Sequence, residues 1–194
     1  MLEATSVWGE RVPAYLSRTV AAHVASEAWQ IAAYYRLRAT IFADEQGLFA
    51  GSDIDEHDAS ATPIVAVDQV AGMADDVIGT VRIYPTEAGT WFGGRLGVMP
   101  KYRSQRAVGT SLICAAVSTA HAWGCRRFLA TIQAQNVRYF EQHHFAPLES
   151  VDVCGQPHRL MQADLAAYPP QVACVQTPVF GHAATALVRR ARAA

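Results

Sequence analysis

Arg95-Leu96-Gly97-Val98-Met99-Pro100 runs through Lys101-Tyr102-Arg103-Ser104-Gln105-Arg106-Ala107-Val108 into Gly109-Thr110-Ser111-Leu112. The first six residues close an apolar, strand-like run, WFGGRLGVMP over 91–100, and the next eight read as a basic loop. From 109 the spacing changes. Apolar positions 109, 112, 113, 116, 117 and 120 share one stripe, which predicts a helix over 109–124 with Gly124 at its C-cap. Strand, basic loop and helix start in that order suit an anion site, because unpaired N–H groups at a helix N-terminus carry roughly half a positive charge. Gly109 would let a ligand approach closely, and Arg103 and Arg106 would add charge-assisted hydrogen bonds to phosphate. A solvated basic loop before an ordinary helix fits the same residues.

Outward from this stretch, RRFLATIQ (126–133) reads as a buried strand, NVRYFEQHHF (136–145) as a short helix and HRLMQADL (158–165) as a last strand. Upstream, PIVAV (63–67) and VIGTVRIYP (77–85) precede the 91–100 strand, with turn-like breaks at 71–76 and 86–89, so the three form an antiparallel meander. Strand, loop, helix and strand from 91 to 133 then require a crossover inside a mixed sheet. Residues 26–45 place Trp29, Ala33, Leu37 and Ile41 at steps of four, the stripe of an amphipathic helix, with Ser26 as N-cap and Gly47 marking its end. GLFAGSDIDEHDASA (47–61) is an acidic loop.

The chain has 194 residues, 51% of them hydrophobic, which suits one domain. Boundaries are expected at 1–25 for an N-terminal arm, 26–168 for the domain and 169–194 for a C-terminal extension. A net charge of −1 speaks against a nucleic-acid binder, which works by counterion release from a basic excess. No apolar run approaches the roughly 18 residues that span a bilayer. The N-terminus carries Glu3 and Glu10 without a continuous apolar core, unlike a secretory signal. Four cysteines, too scattered for a CxxC metal site, are expected to stay reduced. A cytoplasmic protein with no metal site follows as the expectation.

The order of elements, with LGVMPKYRSQRAVGTSL and QNVRYFEQHHF as its motif pieces, resembles the GNAT family of N-acetyltransferases over about 27–165. The resemblance implies an α/β acyl-CoA N-acyltransferase fold, a twisted mixed sheet with helices on both faces. It implies acetyl-CoA or CoA as cofactor and a small-molecule amine as acceptor, with a homodimer as one possible assembly. The pyrophosphate would meet backbone amides of Gln105, Arg106, Ala107, Val108, Gly109 and Thr110, with Arg103 alongside. Leu96, Gly97 and Val98 would pair with the pantetheine arm, and Asn136 and Phe140 would meet the cofactor from the last helix. The family loop reads Gln/Arg-x-x-Gly-x-Gly/Ala, against Ser104, Ala107 and Gly109 here. The tyrosine that commonly protonates the leaving thiolate is replaced by Phe140. Tyr139, the neighbouring hydroxyl about 100° around the helix, is the catalytic candidate to stand in for it, and His143 and His144 lie one turn on.

Asp53-Ile54-Asp55-Glu56-His57-Asp58 holds four carboxylates in six residues. A soluble surface loop is one account. A calcium loop is disfavoured because no glycine and closing glutamate follow at EF-hand spacing. Arg38, Phe42, Asp53, Asp55, Asp58 and Arg82 also resemble the amine-substrate pocket of the acyl-homoserine-lactone synthases, with Asp53 where their glutamate stands. In that role paired arginines keep the acids ionised, and a spare acid holds the substrate ammonium or takes its proton. Asp55, Glu56 or Glu45 would then be the base, and Arg95 and His158 would line the acceptor side. The longer pattern, including Trp91-x-Gly-Gly-Arg95 and Gly155-x-Pro-His158, is similar to the nitrogen-starvation-associated N-acetyltransferases of bacteria. Two alternatives stand beside amine acetylation. One is a lactone synthase using S-adenosylmethionine; the other is a sensor domain that binds acyl-CoA without turnover.

Overall fold

The computed structural model, which describes residues 18–47, 49, 51–172 and 175–178, forms one eight-stranded mixed sheet. In chain order the strands are β1 (Arg18–Val24), β2 (Thr62–Val70), β3 (Met73–Glu87), β4 (Thr90–Val98), β5 (Arg127–Gln133), β6 (Phe145–Val153), β7 (Gln156–Ala163) and β8 (Val175–Pro178). Across the sheet they run β6-β7-β5-β4-β3-β2-β1-β8. The expected meander is β2 to β4, and β4 and β5 are the parallel pair that the crossover requires. The crossover contains α2 (Arg106–Ala122), and α1 (Ala28–Arg38) covers the opposite face. Side chains of β2 alternate between the two: Ile64 and Ala66 join the α2 core, Val65 and Val67 the α1 core.

In α2 all six stripe positions are buried, and Gly124 closes the helix at φ +88°. The helix begins at Arg106, three residues earlier than its apolar pattern, because exposed Arg106 and half-buried Ala107 precede Val108, the first buried position. Helix α1 departs from expectation at both ends. Its N-cap is Glu27, in a reciprocal capping box with Gln30, rather than Ser26. Beyond Arg38 the backbone continues as a π-helical segment, Ala39–Glu45, before Gly47 at φ +60°. The buried face comprises Gln30, Ala33, Tyr34, Leu37, Arg38 and Ile41, so Trp29 is left 42% exposed. Three polar-tipped side chains in that stripe hid its true axis.

Strand β1 draws residues 18–24, expected in a separate arm, into the sheet against β2. Its RTVAAHV lacks the alternation that marks a half-buried strand. Strand β6 was not expected at all. It is an edge strand with a proline and a register shift at Pro147/Glu149, and of its residues only Phe145 is buried. The last of the expected strands starts two residues early, at Gln156, and the short helix is only Val137–Glu141 (α3).

The feature that positions the site is a split. Pairing of β4 with β5 runs from Thr90↔Arg127 to Gly93↔Ala130 and stops, although β4 continues to Val98 and β5 to Gln133. Just past the split, Arg95 and Leu96 together face one β3 residue, since Thr80 pairs Gly97 and Arg82 pairs Gly94. Arg95 takes this bulge at φ +54°. For a residue with a Cβ that conformation costs on the order of 1–3 kcal/mol, and it re-aims the side chain out of the strand's alternation.

Candidate active site

Arg95, so redirected, closes a ring of ion pairs. Its guanidinium reaches Asp53 at 3.1 Å and Asp55 at 3.0 Å. Asp55 also meets Arg82 at 2.6 Å, and Arg82 meets Asp58 at 2.8 Å. Asp58 meets Arg38 at 2.5 Å, and Arg38 returns to Asp53 at 2.7 Å. Three arginines and three aspartates thus alternate around a closed, neutral circuit. Arg38 from α1 and Asp53 are fully buried at its centre, while Asp55 is one-third exposed. The loop is shaped to present its acids: Asp55 caps the turn Glu56–Ala59, accepting from the His57 amide, and its own amide donates to Asp58.

This circuit leaves no spare acid. Each carboxylate bridges two guanidinium groups, so the expectation that one would hold a substrate ammonium is corrected. Hydrogen bonds from Arg82 outweigh burial and hold Asp55 below the usual carboxylate range. Asp58 is pushed lower still: burial opposes this, but bonds from Arg38 and the Asp55 amide prevail. An acid so stabilised as its anion is a weak base, and Asp55 is not suited to that role. Because both folded values lie below the unfolded ones, their stabilisation is complete above about pH 4 and is lost as pH falls through the folded values. Urea midpoints measured from neutral pH downward should therefore stay level to about pH 4 and then drop, with a shallower drop in Asp58→Asn.

A cleft of about 510 Å³ opens at the split. Of the expected acceptor residues, Phe42, Asp55, Arg82, Arg95 and His158 line it, while Arg38, Asp53 and Asp58 stand behind. Leu96, Asn136 and Phe140 line it on the cofactor side, and Gly97 and Val98 continue the same strand. Glu56 is 89% exposed and outside the lining. Glu45 and Arg103, expected as base and phosphate ligand, instead hold each other at 2.5 and 2.7 Å, which depresses the Glu45 pKa. Exposed pairs of this kind contribute at most about 1 kcal/mol.

The N-terminus of α2 has no side-chain cap at Gln105. Arg106, Ala107 and Val108 are its first helical residues, and the Val108 amide already donates to the Gln105 carbonyl. Gly109 and Thr110 lie one step further, where amides enter the helical ladder, so the exposed donors sit earlier than the glycine suggested. Gly109 is also not bare to solvent. The Tyr139 hydroxyl lies 2.6 Å from where a Cβ would stand, and it bonds to Thr110. Tyr139 is therefore turned onto α2 and is absent from the cleft lining, with its pKa raised by burial.

Sequence reasoning missed His57, Tyr84, Phe92, Thr131 and Gln133, all of which line the cleft. The Tyr84↔Phe92 register was the available signal, since it puts both rings on the arginine face of the meander.

A family comparison matches residues 20–145 to the acetyltransferase (GNAT) family. The chain belongs to that family. Among solved structures, a candidate N-acetyltransferase from Lactobacillus plantarum is 25% identical, with a TM-score of 0.64 over 76% of this chain and 97% of that one. Escherichia coli ElaA is 21% identical, with a TM-score of 0.59 over 77% of this chain and 100% of its own. The CoA-dependent acyl-homoserine lactone synthase BjaI shares the fold at 17% identity, with a TM-score of 0.60 over 74% and 82%. A search of curated proteins found no match. GNAT members typically bind acyl-CoA. Nothing in the comparisons singles out the nitrogen-starvation subfamily. Among the described residues no helix is long and apolar enough to cross a membrane, and no cluster of ligands could hold a metal ion.

Proposed function

We propose that the protein transfers an acetyl group from acetyl-CoA to the amine of a small molecule, by direct attack in a ternary complex. The split between β4 and β5 carries this reading. It leaves the edge of Leu96–Val98 that faces away from β3 without a strand partner beside the cleft, so the amides on that edge suit pairing with a pantetheine arm and polarising a thioester carbonyl. The amides at the start of α2 and the exposed Arg106 suit a pyrophosphate.

In the reaction the amine nitrogen bonds to the thioester carbonyl carbon, the C–S bond breaks and the sulfur leaves as thiolate. Phe140 offers no proton, and a thiol of pKa about 8.5 can take one from water. The ammonium proton needs a base, and His158 supplies it. A backbone carbonyl can only accept, so the 2.8 Å contact of His158 Nδ1 with the Gln156 carbonyl fixes the hydrogen on Nδ1 and leaves the Nε2 lone pair. His158 pairs with Gln133, three residues beyond the last β4–β5 pair, and Leu96 lies three residues beyond it on β4. The imidazole and Leu96 line the same cleft, which supports this role.

Millimolar CoA should raise the melting temperature of the protein, since a ligand at a hundred times its Kd adds about 2.7 kcal/mol. Pooled primary amines should then release free thiol from acetyl-CoA. No CoA shift would overturn the assignment, and a shift without release from any amine would favour the sensor alternative.

A further inference from the structure

We propose that the acceptor is a monoamine bearing a flat apolar group, of the arylalkylamine class, whose ring lies against the aromatic wall of the cleft; this rests on the acetyl-transfer reading above. The wall is a ladder of three near-parallel rings contributed by the acidic loop, β3 and β4. His57 and Tyr84 stack at 4.4 Å and 12°, and Tyr84 and Phe92 at 6.0 Å and 18°. All three line the cleft. The stacked faces cover one another, so the ladder offers the cleft a row of ring edges, against which a flat apolar group packs edge to face.

Gly94 leaves the floor beside that wall open. It follows Phe92 by two positions on the same strand face, and a Cβ there would meet only Arg82 Nε, at an ordinary 3.6 Å. Its backbone needs no left-handed conformation, so a side chain is sterically tolerated and its absence keeps space for a ligand. Charge narrows the class further. Asp55 is the one carboxylate among the described cleft-lining residues, and it is tied to both Arg82 and Arg95. A second ammonium on the acceptor would enter without a counter-charge, which disfavours polyamines.

The test compares phenethylamine, tryptamine, butylamine, spermidine and S-adenosylmethionine, by thiol release from acetyl-CoA and by thermal shift in the presence of CoA. The arylalkylamines should exceed butylamine and spermidine by about tenfold or more in kcat/KM. Gly94→Val and Phe92→Leu should each raise the phenethylamine KM about tenfold while the CoA shift is retained. Preference for butylamine, spermidine or S-adenosylmethionine would overturn the proposal, as would variants with unchanged KM. Neither release nor added shift with an arylalkylamine, in protein that CoA still stabilises, overturns it and leaves acetyl transfer standing. Loss of the CoA shift in the wild-type protein removes both.

Discussion

Arg38→Met is expected to lose about 3–5 kcal/mol of folding stability. Arg38 is fully buried and donates to Asp53, Asp58 and the Tyr34 hydroxyl. Methionine fills much of the volume but leaves two buried aspartates sharing only Arg95 and Arg82, and a buried tyrosine without its partner. The cost comes from uncompensated charge, because the intact pair itself gains little over its desolvation. Urea denaturation at neutral pH measures it. A loss under about 1 kcal/mol would mean that the circuit relaxes around the gap and is not what pins the loop.

His158→Gln is expected to lower kcat/KM for the amine by about a hundredfold to a thousandfold, or roughly 2.7–4.1 kcal/mol of barrier. Glutamine keeps a polar side chain over the Gln156 carbonyl but has no basic nitrogen. The CoA-induced thermal shift should be unchanged, because His158 lies outside the proposed CoA-binding residues. A variant retaining more than a third of wild-type kcat/KM would return the proton to solvent.

Much of this fold was legible because its strongest signals are local. Apolar spacing in α2, the apolar runs of β2 and β3 between turn-like breaks, and glycine at 47 and 124 each depend on neighbours within a few residues. The order of these elements then left few ways to connect them, and a parallel β4–β5 pair followed. Elements failed where the local signal was weak or mixed. β1 does not alternate, β6 is mostly exposed, and the buried stripe of α1 includes Gln30 and Arg38.

The residue types of the site were likewise visible, and their roles were not. Sequence placed Arg38, Arg82 and Arg95 among three aspartates, yet it could not say that each aspartate would serve two arginines. Those partners lie 15 to 42 residues apart, and the circuit closes only because a left-handed Arg95 bulge turns one side chain toward the loop. Glu45 and Arg103 found each other across 58 residues, which no spacing rule reaches. Hydrophobic periodicity is an average over many weak contacts and survives in one dimension. The pairing of a charge depends on a few atoms placed to within an ångström, and only the folded sheet sets those distances.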